Sequence, residues 1–107
     1  MKMNKRLGVA FLWHMHQPFY KDPLTDKYLM PWVRLHGIKD YFPMARLVEN
    51  FDNIRVTFNL VPSLVEQIND YVQNDASDIY LDLTIKKASL LTFEDKVEIL
   101  NNFFKVN

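Results

Sequence analysis

Residues 7–20 read LGVAFLWHMHQPFY, and the break after Trp13 decides how the chain is read. From Leu7 to Trp13 the residues are apolar on both faces, without polar alternation. That pattern suits a parallel strand covered on both sides. His14, His16 and Gln17 then interrupt the run. Pro18 stops the ladder, since proline has no backbone N–H to donate. A strand over residues 7–16 places His14 and His16 on one face at its C-terminal end. In α/β barrels and open parallel sheets that end carries the site, because the connecting loops converge there. Gln17 adds one donor group and one acceptor.

Outward from this strand, residues 17–36 form a long connection with Pro18, Pro23 and Pro31. Phe19, Tyr20, Tyr28 and Trp32 make it too aromatic for a disordered segment. Connections of this length in compact domains that are not disordered are usually functional. A helix is expected over residues 37–50, with Tyr41, Met44, Val48 and Phe51 facing the core. Pro43 fits it only if the first turn starts later. Asp52-Asn53 reads as a turn. IRVTFNL, residues 54–60, is a second strand, with Ile54, Val56, Phe58 and Leu60 on one face and Arg55, Thr57 and Asn59 on the other.

Pro62 and Ser63 open a further helix, and Ser63 with Glu66 has the spacing of a capping box. Its buried stripe is Leu64, Ile68, Tyr71 and Val72. Residues 78–90 contain IYLDLTI, which alternates like a strand inside helical surroundings; helix is the reading adopted. Thr92 with Asp95 starts a last helix with Phe93, Val97, Leu100 and Phe104 on one side. The order is strand, loop, helix, strand, helices: one right-handed βαβ unit with extensions. Two parallel strands do not make a stable sheet by themselves with both faces buried. The fold class is therefore α/β, the opening βαβ portion of a larger structure, in one domain spanning residues 1–107.

Composition narrows the chemistry. The 107 residues are 49% hydrophobic and 24% charged, so a small core can form. Thirteen basic residues balance thirteen acidic ones. Apart from Lys2, Lys5 and Arg6 there is no basic cluster, so no nucleic-acid partner is expected. The acidic segment from Glu49 to Asp82 reads as a solvated face. With no cysteine, thiolate catalysis, disulfides and zinc–thiolate sites are excluded. Two glycines, Gly8 and Gly37, cannot write a phosphate loop or a dinucleotide fingerprint. The start imitates a signal peptide, but His14 and His16 break the apolar run and no small-residue cleavage site follows. No stretch is long enough to span a membrane, and a cytoplasmic location is the default.

Three uses of His14 and His16 compete: satisfied structural groups, a metal pair still lacking a third ligand, or a polar site in which imidazole and carboxamide bond hydroxyl groups. PWVRLHGIKDY, residues 31–41, brings Trp32, Arg34, His36, Lys39 and Asp40 into the same neighbourhood. Eight of the fifteen aromatic residues lie between Phe11 and Phe42. Aromatic faces stack on sugar rings while His, Gln, Asp and Arg bond hydroxyls. Trp32 has a second use as a buried indole closing the loop, and Arg34 and Asp40 are close enough to pair.

HMHQP resembles the first signature motif of glycoside hydrolase family 57. PWVRLHGIKDY and FNLVPSLVEQI, residues 58–68, are similar to the segments that follow in the amylopullulanase-like and α-amylase-like branch. LTFEDKVEILNNFF, residues 91–104, is similar to a later one. The resemblance implies an incomplete (β/α)7 barrel, of which this chain is the truncated N-terminal part. It implies retaining action on α-glucans or maltooligosaccharides, as an α-amylase, amylopullulanase or 4-α-glucanotransferase, with no cofactor and no catalytic metal. By the same resemblance His16, His14 and Gln17 are substrate-binding, with Trp32 and His36 as candidates for the site wall.

Retaining glycosidases use two carboxylates roughly 5 Å apart. The Glu and Asp motifs that supply them in the family have no match here, so no residue of this chain is expected to be catalytic. The chain alone is expected to be silent, and the remainder of the barrel is its expected partner. Two rivals stand beside this reading: a metal-dependent deacetylase- or mannosidase-like barrel fragment, and a non-catalytic module binding sugar or a partner.

Overall fold

The computed structural model describes residues 7–105; Lys2, Lys5 and Arg6 lie outside the described residues. Two parallel strands, β1 (Leu12–Met15) and β4 (Thr57–Leu60), lie side by side with Leu12 opposite Thr57 and His14 opposite Asn59. Both are shorter than the sequence suggests, because the ladder exists only where these two strands meet. Between them the chain forms a hairpin, β2 (Lys21–Asp22) with β3 (Lys27–Tyr28), and a broken helix.

The hairpin was hidden inside the expected long connection. Its turn is local chemistry: the Asp22 carboxylate accepts from the Leu24 N–H and the Thr25 hydroxyl, and Asp26 takes a left-handed φ of 57°. The helix starts five residues before the expected Gly37. It runs as α1 (Trp32–His36), a π-helical turn (Gly37–Tyr41) and α2 (Phe42–Val48). Pro43 explains the break. It has no N–H to give and its ring crowds the carbonyl four residues back, so the helix widens by one residue just before it. The Phe42 N–H accordingly reaches the Gly37 carbonyl.

After β4 come α3 (Pro62–Gln73), α4 (Ile79–Ile85), a short 3-10 turn (Ala88–Leu90) and α5 (Phe93–Asn102). The helical reading of IYLDLTI holds. The capping box at Ser63 does not form. The helix begins two residues earlier than that box requires, with Val61 extended at the cap and Pro62 in the first turn, and the Ser63 hydroxyl donates to the Gln17 carbonyl at 2.9 Å. The box at Thr92 forms with both reciprocal bonds.

The core is small: Met15 from β1, Val33 from α1 and Leu64 from α3, packed on by Tyr20, Tyr41, Met44, Phe58, Val61, Ile68 and Tyr71. Of the stripes expected to be buried, Val72, Phe51 and the whole α5 face stay exposed. The chain exposes 9094 Å², against roughly 6,300 Å² for a compact protein of its mass. β1 is not the strand covered on both sides that its apolar run suggests: Leu12 on one face and Trp13 on the other both meet solvent, and only Met15 is buried.

Candidate functional site

Met15 points into the core, so its neighbours His14 and His16 must point out. They share one exposed face, their rings stacked 5.8 Å apart at 18°. The parallel register sets Asn59 of β4 beside His14, with the amide oxygen 2.8 Å from the imidazole Nδ1.

Gln17 faces inward with Met15's side of the chain end and is buried. Its Nε2 donates to the Tyr41 hydroxyl at 2.9 Å, and its Oε1 accepts from the Tyr20 hydroxyl at 3.0 Å. Both ends of the carboxamide are therefore occupied by protein. A second buried amide, Gln67 on α3, fastens the next turn. Its Oε1 accepts from the Tyr20 N–H, while its Nε2 donates to the carbonyls of Pro18 and Ser63, at 2.8–2.9 Å. Two carboxamides thus fix the backbone that follows His16.

Trp32 and His36 form a second group. Trp32 is 43% exposed, so it is not the buried indole that its alternative role required. Its ring lies 6.0 Å from that of His36. His36 Nδ1 lies 2.5 Å from an Asp40 carboxylate oxygen, one helical turn away. Asp40 is therefore engaged with His36 and does not pair with Arg34. Tyr41 stands between the two groups: its ring is 6.1 Å from that of His36, and its hydroxyl donates to the His16 carbonyl at 3.4 Å. The π-helical turn is what carries both Asp40 and Tyr41.

Arg34 turns away from the site. Its Nε and Nη2 clamp the fully buried Asp78 at 2.6 and 3.1 Å. Asp78 also accepts from the Tyr71 hydroxyl and from the Leu81 N–H that opens α4. The carboxylate beside it holds the Arg34 guanidinium pKa above its ordinary value. Burial raises the Tyr28 and Tyr71 phenols well above theirs, with Asp70 and Asp78 respectively adding to it. Asp70 moves the other way, down to about 2, because Lys21 and then Asn74 donate to its carboxylate. A cavity of about 300 Å³ opens between the hairpin and α3, lined by Phe19, Lys21, Tyr28, Asn69, Asp70 and Gln73; none of the five site candidates lines it.

Asn59 and Gln67 were not singled out from the sequence, and Asp40 was read as a partner for Arg34 where its partner is His36. Asn59 carried a partial signal, a carboxamide near the end of the second strand, but nothing in the sequence set it opposite His14. Gln67 carried none, since it sits on a helix face that looks polar. Among the described residues no three His, Asp or Glu side chains lie together as metal ligands would, so His14 and His16 gain no third ligand there.

What the arrangement offers is an open face of stacked imidazoles, with an exposed indole and a third imidazole on the neighbouring helix. A family model described as Glycosyl hydrolase family 57 matches residues 10–106. No curated protein and no solved structure matches the chain at a significant level.

Proposed function

Because the chain belongs to glycosyl hydrolase family 57, we propose that it supplies the sugar-holding segment of an α-glucan-active, retaining glycosidase. The family is one of glycosidases; the α-glucan class and the barrel architecture are this proposal's own. The single observation that carries it is the paired exposure of His14 and His16 at the C-terminal end of β1. Two imidazoles on one face suit adjacent sugar hydroxyls, and Trp32 offers a ring to stack on. Gln17 enters the same reading as the residue that sets the loop, its carboxamide already spent on Tyr20 and Tyr41.

In this reading no carboxylate of the chain is a nucleophile or acid/base. Asp40 is tied to His36 and Asp78 to Arg34. The remaining strands of an incomplete barrel would cover β1, β4 and the apolar side of α5, and would bring the two carboxylates. Among the described residues no helix is long and apolar enough to cross a membrane. A cytoplasmic location is part of the proposal and rests on the cysteine-free sequence.

The test is a titration with maltotriose, following the ring signals of His14 and His16. The expected outcome is binding near about 1 mM or tighter, weakened in His16→Ala. Ring signals that do not move at saturating sugar would sink the reading. The chain by itself is expected to release no reducing sugar from starch.

A further inference from the structure

The imidazoles of His14 and His36 share a feature that their exposure alone does not require. Each has its Nδ1 occupied by an oxygen of a neighbouring side chain, Asn59 for His14 at 2.8 Å and Asp40 for His36 at 2.5 Å. An amide oxygen and an ionised carboxylate can only accept. A neutral imidazole carries one proton, and an acceptor at Nδ1 holds the proton there. The other nitrogen, Nε2, is then left with a bare lone pair.

We infer that Asn59 and Asp40 are positioning residues that fix His14 and His36 as Nδ1–H tautomers, so that both rings present Nε2 as hydrogen-bond acceptors to the ligand. This rests on the sugar-binding reading and sharpens it. The groups recognised by these two rings are donors: hydroxyls that give their proton to nitrogen. The two partners sit on different elements, Asn59 on β4 and Asp40 in the π-helical turn, and reach the same result independently. On β4 the parallel register is what matters, because Asn59 lies directly opposite His14. In the helix it is the spacing of four residues, which places Asp40 over His36. Metal-site histidines are oriented in the same manner by an oxygen at the second nitrogen, and a hydroxyl donor makes the same demand on the free one.

The tautomer is directly readable. Protein labelled with 15N-histidine is observed at about pH 9, above the ordinary imidazole range, by long-range 1H–15N correlation. The expected result is an Nδ1–H pattern for His14 and His36. Asn59→Ala should release His14 alone, and Asp40→Ala should release His36 alone. Asn59→Asp keeps an acceptor at the same place and should restore the Nδ1–H form of His14. Maltotriose binding should weaken by about tenfold in each alanine variant, the worth of one hydrogen bond.

An Nε2–H pattern in the unaltered protein would overturn the inference. For His14 that result would mean that the Asn59 amide presents its N–H₂ instead of its oxygen. Tautomers that stay unchanged in both alanine variants would overturn it as well. The two levels separate cleanly. Nδ1–H rings with no sugar response refute the sugar reading and leave the tautomer assignment standing; sugar binding with Nε2–H rings does the reverse.

Discussion

α3 and α5 are both amphipathic helices of similar length, 12 and 10 residues, and the structure treats them oppositely. By local criteria α5 is the better made. Thr92 and Asp95 close a full capping box, and Glu94 with Asp95 puts negative charge in the first turn. α3 has no side-chain cap at all. Yet α3 buries Leu64 and Gln67 completely, while α5 buries nothing and leaves Phe93, Leu100 and Phe104 at least 70% exposed. Helix-forming signals and burial are separate quantities. α3 is packed because the hairpin, α1 and the HMHQP turn lie on it, tied down by polar groups. α5 has its stripe ready and, among the described residues, nothing to lay it on.

The largest test of this contrast acts on the polar ties around α3. Asp78 is fully buried and serves Arg34, Tyr71 and the start of α4 together. Asp78→Ala strands the Arg34 guanidinium, which is itself mostly buried. The expected loss is about 3–5 kcal/mol, as for other broken buried pairs, read from urea unfolding. A loss below about 1 kcal/mol would mean that the ties merely decorate an apolar core. Gln67→Leu comes next. It leaves the Tyr20 N–H and the Pro18 carbonyl without partners in a buried place. About 1–3 kcal/mol is expected. The ring signals of His16 should broaden with it, because Gln67 fixes the turn after that residue.

These ties also mark where sequence reasoning stops. The strand pair, its parallel sense and the shared face of His14 and His16 were legible, because the unbroken apolar run before His14, the alternation in IRVTFNL and the stop at Pro18 are local signals. So was the cap of α5. The register was not legible, and with it went Asn59: nothing in IRVTFNL says which residue will stand opposite His14. The hairpin was invisible because strands of two residues have no periodicity. The π-helical turn needed the knowledge that the helix starts at Trp32, ahead of Pro43. Arg34 was read toward its sequence neighbour Asp40, whereas its partner lies 44 residues away. Long-range polar pairing is set by packing and leaves no trace in spacing.

A smaller effect separates the hairpin side of α3 by pH. The Asp70 carboxylate accepts from Lys21, Asn74 and the Tyr28 hydroxyl, and its pKa falls from 3.8 to about 2. A group depressed in the folded state contributes stability that is present above its ordinary pKa and is lost as pH falls through the folded value. Acid should therefore weaken the hairpin–α3 contact between about pH 4 and pH 2. In Asp70→Asn that part of the pH dependence should flatten. The same slope in the variant would assign the acid sensitivity to other carboxylates.

The smallest expected effect is on α5, and it is the sharpest statement of the comparison. Leu100→Lys places a charge in the middle of a stripe that looks like a core face on any helical projection. Were the stripe packed as α3 is, the substitution would cost several kcal/mol. In this chain Leu100 is 70% exposed, so the change should fall within about 0.5 kcal/mol of zero. The same substitution should raise solubility, since it interrupts an exposed apolar face. Unfolding midpoints of the two proteins, measured side by side, decide the matter. A loss above about 1 kcal/mol would show that something covers α5 in solution, in which case self-association should be visible by sedimentation. A null effect on stability with a gain in solubility leaves α5 as a finished helix whose apolar stripe nothing among the described residues covers.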